Sequence, residues 1–234
     1  MDFNQKVVMV TGAAGNLGRA VAAAFADQGA TLVLVARQRE RLAQLYGAEH
    51  ERLLFAPADL LDAQQVEAAV ALVLQRFGRI DVLCNLAGGF RMGEAVHETS
   101  DETWNLMFDL NTRTLLNTVR AVVPPMIQAG GGKIVNVGAF AAQKGAGQMG
   151  AYCASKSSVI RLTESMAAEL RERHINVNCV LPTIIDTPEN RAAMPQADLA
   201  RWVAPQDPAS TIAFLASDGA RAIHGASIPL TGLV

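Results

Sequence analysis

Residues 7–21 read VVMVTGAAGNLGRAV, and this stretch decides how the N-terminal part of the chain folds. An apolar run gives way to a turn that contains Gly12 and Gly15, and a helical pattern begins near Gly18. Glycine adopts backbone conformations that other residues resist, and it lets a phosphate group approach main-chain N–H groups at the amino end of a helix. Asn16 tolerates left-handed geometry better than other non-glycine residues. The stretch predicts a strand, a phosphate-binding turn and a helix, although an ordinary strand-to-helix turn has a similar composition.

Short apolar runs alternate with helical patterns over most of the 234 residues. The predicted strands are Lys6–Thr11, Thr31–Ala36, Leu53–Pro57, Ile80–Ala87, Lys133–Val137, Asn176–Leu181 and Ser227–Leu230. Their nearly continuous apolar character is typical of strands that are covered on both faces. The pattern predicts one α/β domain over residues 1–234, with a doubly wound parallel sheet of about seven strands and helices on both faces. Residues 183–208, rich in Pro, Asp and Met, interrupt the alternation and predict a flap near the carboxyl ends of the strands.

The predicted helices have recognisable ends. Asp62 is a candidate N-cap for the helix after the third strand, and Gly78 is expected to end it. Gly29 is expected to close the first helix. Two longer helices are predicted over Glu102–Ala129 and Ala151–Arg173.

Composition limits the partners of the chain. The formal net charge of −2 provides no basic surface for nucleic acid or an anionic membrane. The three cysteines, Cys84, Cys153 and Cys179, have no paired spacing, so we expect reduced thiols and a cytoplasmic location. No apolar run is long enough for a membrane span, and the first residues lack a signal-peptide pattern. The histidines are scattered and no carboxylates cluster, which predicts no metal site.

A second pattern, YCASK, places Tyr152 and Lys156 four residues apart. On a helix these side chains share one face, one turn apart. A free phenol has a pKa of about 10. A nearby lysine ammonium is expected to lower that pKa, so that the phenol exchanges a proton near neutral pH. The alternative is a Tyr/Lys pair on the surface of a helix, which is common in any helical protein.

Together the two patterns resemble the short-chain dehydrogenase/reductase family, with its TGxxxGxG and YxxxK motifs. The resemblance covers nearly the whole chain and implies a Rossmann-like fold, an NAD(P) cofactor and oxidoreductase activity on a small molecule. Tyr152 and Lys156 would be catalytic, and Asn111 would hold a water beside the lysine. The implied cofactor-binding residues are Gly12, Gly15, Asn16, Leu17, Gly18, Arg37, Asp59, Leu60, Asn85, Ala87, Gly88, Tyr152, Lys156, Pro182, Ile185 and Thr187.

The resemblance also implies individual roles for some of these residues. Asp59 would bind the adenine amino group, and Asn85 would support the sheet beside the cofactor. Thr187 would contact the carboxamide or the pyrophosphate, and Ile185 would pack on the nicotinamide ring. Each residue also has an ordinary structural explanation, such as helix capping for Asp59 and Thr187 or turn formation for Asn85.

The end of the second strand bears on the choice between NAD(H) and NADP(H). An acidic residue there binds the ribose 2′-hydroxyl of NAD, whereas arginine suits the 2′-phosphate of NADP. The acidic position is Ala36, followed by Arg37 and then Arg39. The sequence therefore favours NADP(H) over NAD(H). The alternative is that both arginines belong to the charged face of the helix that follows.

Ala139 departs from the family pattern. Thirteen residues before Tyr152, where most members carry an active-site serine, this chain has alanine. Loss of one preorganised donor costs roughly 10²–10³ in rate in comparable sites, so we expect reduction of ordinary ketones to suffer. Ser155 and Ser157 are poor substitutes, because one lies beside Lys156 and helical spacing turns the other away.

Dihydropteridine reductases are a branch of the family that also lacks this serine. GAFAAQKGAGQMGAYCASK and LPTIIDTPENRAAMPQADLARW resemble their C-terminal half. The resemblance implies hydride transfer to a quinonoid ring, with Phe90, Met194, Trp202 and Ala139 near the substrate. The alternative for Met194 and Trp202 is plain packing of the flap. Arg37 departs from the acidic residue expected of an NADH-preferring pterin reductase.

Three functions therefore remain open from the sequence. The first is an NAD(P)H-dependent reductase, the second is the narrower reductase of a quinonoid or imine ring, and the third is a non-catalytic dinucleotide-binding sensor or scaffold. Retention of Tyr152, Lys156 and Asn111 argues against the third. The family resemblance also implies a homodimer or homotetramer, in which the two long helices pack between subunits.

Overall fold

A computed structural model describes all residues from 1 to 234. The strands are β1 (Val7–Thr11), β2 (Thr31–Val35), β3 (Leu53–Phe55), β4 (Val82–Asn85), β5 (Gly132–Val137), β6 (Ile175–Pro182) and β7 (Ser227–Leu230). The helices are α1 (Asn16–Ala26), α2 (Arg39–Tyr46), α3 (Ala63–Phe77), α4 (Asp101–Phe108), α5 (Thr114–Gln128), α6 (Gly150–Leu170), α7 (Pro188–Ala193) and α8 (Gln206–Ala216). No helix has the length and apolar composition needed to cross a membrane.

The seven strands form one sheet in the order β3-β2-β1-β4-β5-β6-β7, and every pair is parallel. The predicted doubly wound sheet is therefore confirmed. Strand order reverses between β1 and β4, and in open α/β sheets ligands bind at the carboxyl ends of the strands beside such a reversal.

Apolar side chains cover both faces of the sheet. One layer joins the sheet to α3, α5 and α6, with Val73, Val122 and Val159 among its buried side chains. The other layer joins the sheet to α1 and α8 through residues such as Phe25 and Ile212. Coverage on both faces explains why the strands have no alternating polar pattern.

Helix ends match the sequence in part. The Asp62 side chain accepts hydrogen bonds from Gln64 N and Gln65 N at the start of α3, and Gly78 ends that helix in left-handed geometry. The first helix ends earlier than predicted, at Ala26, and Gly29 lies in the turn that follows, with φ of 86°.

One predicted helix is interrupted. The single helix expected over residues 102–129 consists of α4, one π-helical turn at Asp109–Arg113, and α5. Single π turns inside α-helices are frequent at functional sites because the wider turn redirects a side chain. Here the turn contains the buried Asn111.

Candidate active site

The glycine-rich turn lies tightly against the end of β4. Gly12 has a φ of +64°, and a Cβ atom there would lie 2.9 Å from the backbone nitrogen of Ala87. A Cβ on Gly18 would overlap the carbonyl oxygen of Gly12. Both positions therefore exclude a side chain, which leaves main-chain groups exposed at the start of α1. Gly15, Asn16 and Leu17 lie at the same helix start. The turn fits the phosphates of a dinucleotide.

Thr11 joins this turn to the neighbouring strand. This role was not predicted from the sequence. Its hydroxyl oxygen accepts hydrogen bonds from Leu86 N at 3.1 Å and from Ala87 N at 3.3 Å, and it lies 3.4 Å from the Cys84 carbonyl, to which it donates. The only signal in the sequence was a hydroxyl residue at the end of an apolar run. Its partners come from a distant part of the chain.

A groove of about 390 Å³ extends from the turn across the ends of β2 and β3. It brings together many of the residues predicted to bind a cofactor, namely Gly12, Arg37, Asp59, Leu60, Ala87 and Gly88. The Asp59 side chain also accepts a hydrogen bond from Leu61 N at 3.0 Å, so its orientation is fixed by the local turn.

The two arginines noted at the end of β2 separate in the structure. Arg37 lines the groove. Arg39 is drawn away, because it forms an ion pair with Glu49 and its guanidinium lies near the Phe55 carbonyl. Arg41, in the first turn of α2, lines the groove instead, and no prediction from the sequence named it.

Asn111 fixes the loop that follows β4. Its side-chain oxygen accepts a hydrogen bond from Gly89 N at 2.9 Å, and its amide donates to Gly89 O at 3.1 Å. The same amide donates to the Ser155 hydroxyl at 3.0 Å. The amide nitrogen is therefore fully engaged within the protein, the oxygen keeps one free lone pair, and the side chain connects the π turn to α6.

Lys156 is buried beside Asn111. Its ammonium donates to the Val137 carbonyl at 2.9 Å. A Cβ atom on Gly88 would lie 2.7 Å from the Asn111 side-chain oxygen and 3.0 Å from the Lys156 Nζ. Because Gly88 has no side chain, a space remains beside the Asn111 oxygen and the Lys156 Nζ.

Tyr152 lies one turn before Lys156 on α6 and is partly exposed. Its ring makes an edge-to-face contact with Phe90, with centroids 4.8 Å apart. Burial raises the pKa of Tyr152 to about 12, and burial lowers the pKa of Lys156 to about 8. The pKa of Tyr152 is therefore not lowered by Lys156 as the sequence predicts, because desolvation of the phenolate dominates.

Ala139 is buried, with 4% of its surface exposed, and precedes the 3₁₀ turn Phe140–Gln143. The Ser157 hydroxyl donates to the Ala142 carbonyl at 2.7 Å, so Ser157 faces this turn and is not directed away from it, contrary to the helical spacing argument. The Ser155 hydroxyl donates to the Tyr152 carbonyl at 2.9 Å. Both hydroxyls are engaged, and neither replaces the missing serine.

Asn85, at the end of β4, belongs to a buried polar chain. Its amide donates to the Asn136 side-chain oxygen at 2.9 Å, and the Asn136 amide donates to the Thr163 hydroxyl at 2.8 Å. This chain of hydrogen bonds links β4, β5 and α6. Asn85 therefore connects two neighbouring strands of the sheet.

The flap, residues 183–208, is held by a bridge between its own two ends and by a hydrogen bond to the glycine-rich turn. Pro182 ends β6, and Ile185 forms a parallel bridge with Val203. The Thr187 hydroxyl caps α7 by accepting from Asn190 N at 3.2 Å. Across the glycine-rich turn, the Asn16 amide donates to a Glu189 carboxylate oxygen at 2.7 Å.

The four residues expected near the substrate differ in exposure. Phe90 is 57% exposed beside Tyr152, whereas Trp202 is only 8% exposed. Trp202 therefore packs the flap on the body of the protein, and no open face is left for stacking on a ligand. Met194 is partly buried after the end of α7, and Ala139 is covered.

No group of three or more His, Cys, Asp or Glu side chains is arranged to hold a metal ion. The three cysteines are unpaired and buried. Burial raises the pKa of both the Cys84 and the Cys179 thiol, so these thiols are protonated at neutral pH.

Comparisons with known proteins agree with this geometry. The family model for short chain dehydrogenases matches residues 6–198. D-threitol dehydrogenase of Mycolicibacterium smegmatis is 36% identical over 97% of this chain and 92% of its own length. NAD⁺-bound xylitol dehydrogenase superposes with a TM-score of 0.91 at 26% identity, covering 99% of this chain and 100% of that one.

A gluconate 5-dehydrogenase from Burkholderia cenocepacia, solved with NADP and tartrate, also has a TM-score of 0.91 at 26% identity. It covers 99% of this chain and 95% of its own. These similar proteins are oxidoreductases, and their complexes include both NAD and NADP. The chain belongs to the short-chain dehydrogenase/reductase family of oxidoreductases.

Proposed function

We propose that this protein is an NADP(H)-dependent reductase in which Tyr152 exchanges the proton and Lys156 and Asn111 support it. The observation that carries the proposal is the convergence of the Lys156 ammonium and the Asn111 side chain at the space left by Gly88. This space adjoins the glycine-rich turn, and Tyr152 lies one helical turn away. A non-catalytic protein has no chemical need for a buried lysine at this position.

The protonation state of Tyr152 suits a proton donor. Burial raises the pKa of Tyr152 to about 12, so the phenol keeps its proton at neutral pH and has one to donate at Oη. Lys156 stays mostly charged below pH 8, and its ammonium stabilises the phenolate that remains after donation. A bound nicotinamide would supply the hydride.

The preference for NADP(H) rests on charge at the end of β2. Arg37 and Arg41 line the groove, and residue 36 is alanine where an acidic residue would favour NAD. Neither arginine forms an ion pair with a carboxylate. Two guanidinium groups without a carboxylate partner suit a 2′-phosphate. A 2′-hydroxyl would lack its usual acidic acceptor here.

A narrower second candidate is the reduction of a quinonoid or imine ring. It is favoured by Ala139, because no hydroxyl is available to hold a carbonyl oxygen beside Tyr152. A delocalised ring imine requires protonation by the phenol and no second donor. The exposed Phe90 ring, in contact with Tyr152, offers an apolar edge for such a flat substrate.

The assembly and location of the protein are part of the proposal. We infer a cytoplasmic homodimer or homotetramer that acts on a small molecule. Trp104 on α4 is 45% exposed and packs against Phe108, with ring centroids 4.6 Å apart. Tryptophan is enriched in protein–protein interfaces, so we infer that this part of α4 contributes to a subunit contact.

One experiment tests cofactor and acceptor together. The protein is titrated with NADPH and NADH by fluorescence, and NADPH oxidation is then followed with quinonoid dihydropterin, ketones and quinones. We expect tighter binding of NADPH, and at least about a tenfold loss of that preference in Arg37→Gln/Arg41→Gln. Cofactor binding without turnover on any acceptor would favour a sensor and contradict the reductase proposal.

A further inference from the structure

A basic cavity lies at the amino edge of the sheet, opposite the glycine-rich turn. It has a volume of about 580 Å³ and lies where β5 and β6 begin, at the pair formed by Lys133 and Asn176. Because a strand rises about 3.3 Å per residue, the length of β5 separates this cavity from the carboxyl edge by roughly 20 Å. Its basic side chains are Lys133, Arg171, His174, Arg221 and His224.

The permanent cations of this cavity have no carboxylate partner. Lys133, Arg171 and Arg221 form no ion pair. Asp218 acts on Lys133 only at longer range, and burial still lowers the pKa of that ammonium. Arg171 and Lys133 line the same cavity as His224, and burial and the charges of these two groups lower the pKa of His224.

The cavity is organised by Asn176. Its side-chain oxygen accepts from Lys133 Nζ at 2.7 Å, and its amide donates to the carbonyl oxygens of Arg221 at 3.0 Å and Ile223 at 3.1 Å. These bonds hold the segment before β7 against the starts of β5 and β6. The ammonium of Lys133 is therefore positioned by a neutral partner, with no carboxylate in direct contact.

This concentration of positive charge is local, since the chain as a whole has a net charge of −2. Like charges at the edge of a protein repel one another, and an anion between them would remove that cost. Ammonium and guanidinium groups bind phosphate and carboxylate oxygens with strong charge-assisted hydrogen bonds. The volume lies within the range of about 300–1,000 Å³ that is usual for small-molecule pockets.

We propose that this cavity is a second ligand site, distinct from the groove at the carboxyl edge, and that it binds a small multivalent anion carrying phosphate or carboxylate groups. Bound there, such an anion would bridge the end of α6, the starts of β5 and β6 and the segment before β7. The proposal is independent of the reaction catalysed at the opposite edge.

The test is calorimetric titration with inorganic pyrophosphate and, separately, with citrate, at a salt concentration of about 150 mM so that weak surface attraction is screened. We expect the wild-type protein to bind at least one of these probes, and Arg171→Gln/Arg221→Gln to weaken that binding by about tenfold or more. Citrate separates a site that accepts any multivalent anion from one that requires phosphate.

The matched control is Arg37→Gln/Arg41→Gln, which removes the same charge from the opposite edge. It should leave the part of the binding that depends on Arg171 and Arg221 unchanged, although it would weaken any binding of pyrophosphate in the groove beside the glycine-rich turn. Ala222→Glu is a second variant, since it places a carboxylate at the exposed rim of the cavity without removing any contact, and it should weaken binding similarly. Failure of the wild-type protein to bind either probe at millimolar concentration, or loss of binding only in the control, would overturn the proposal.

Discussion

At Ala139 a methyl group stands where most short-chain dehydrogenases carry a hydroxyl, and no neighbouring serine is free to replace it. Ala139→Ser would restore a donor to the start of the 3₁₀ turn. We expect turnover of ordinary ketones to rise by about 10-fold to 10³-fold, because a preorganised donor stabilises charge on the carbonyl oxygen in the transition state. The measurement is kcat/KM for a ketone with saturating NADPH.

Ala142→Ser is the control for this substitution, since Ala142 lies in the same turn and is also buried. It should leave ketone turnover unchanged. An Ala139→Ser enzyme that gains nothing, while the wild type is active on the same ketone, would mean that another group already binds the carbonyl oxygen.

Lys156 makes stability depend on pH. Burial lowers its pKa to about 8 from an ordinary value of 10.5. Between these values the unfolded chain binds a proton that the folded protein does not, so the free energy of unfolding rises with pH over this interval. Below pH 8 the folded protein holds a buried ammonium, at a cost of up to about 3 kcal/mol.

Lys156→Met is therefore expected to raise the free energy of unfolding at pH 7 by about 1–3 kcal/mol, with a difference that narrows towards pH 10.5. Urea unfolding at several pH values measures it, and the exposed Lys144→Met is the control. If the difference in the free energy of unfolding between Lys156→Met and the wild type stays constant with pH, Lys156 is not buried in its charged form.

At single positions the sequence identified Gly12, Asp59 and Lys156 because each belongs to a short local motif. It did not identify Thr11, whose hydroxyl forms hydrogen bonds with backbone groups at the end of β4. That contact depends on which strands become neighbours. Arg39 was named beside Arg37, and its ion pair with Glu49 was not foreseen because it joins residues that a local pattern does not relate.

Among the elements, the glycine-rich turn and α1 depend on each other at Gly18. Because a Cβ there would overlap the Gly12 carbonyl, Gly18→Ala must displace the helix start. We expect it to lower the free energy of unfolding by about 1–3 kcal/mol, the usual cost of overpacking. The measurement is urea unfolding.

Gly145→Ala is the matched control, since a Cβ at Gly145 would have no neighbour within 4 Å. It should change stability by less than about 0.5 kcal/mol. Equal effects of the two substitutions would contradict the close packing of α1 on the turn.

Elements with clear caps and apolar faces were predicted from the sequence, and α3 is the best example. The π turn at 109–113 was not, because no residue in DLNTR breaks a helix. The interruption is associated with tertiary hydrogen bonds from Asn111 to Gly89 and Ser155. A local pattern carries no information about such distant partners.

At the scale of the whole molecule, the order of the strands brings the glycine-rich turn, the end of β4 and α6 to one edge of the sheet. The sequence predicted this edge because ligands of doubly wound sheets bind near the carboxyl ends of the strands. It did not predict the basic cavity at the opposite edge, because Lys133, Arg171 and Arg221 are far apart in sequence and meet only in the folded protein.

Trp104 tests the proposed assembly. Trp104→Arg places a charge on the exposed face of α4, and we expect it to convert a homodimer or homotetramer into a smaller species, because a buried unpaired charge opposes association. Sedimentation velocity measures the change. Leu72→Arg, at an exposed position of α3, is the control, and an assembly unaffected by Trp104→Arg would contradict an interface at α4.

The central claim is that the Tyr152 phenol transfers the proton beside a bound dinucleotide. Its most direct test is the rate of NADPH oxidation by Tyr152→Phe with the best acceptor, measured together with NADPH affinity. We predict that the rate falls by about 10²–10⁴, while affinity stays within about threefold, because the substitution removes only the hydroxyl. A Tyr152→Phe enzyme that keeps the wild-type rate would contradict the account.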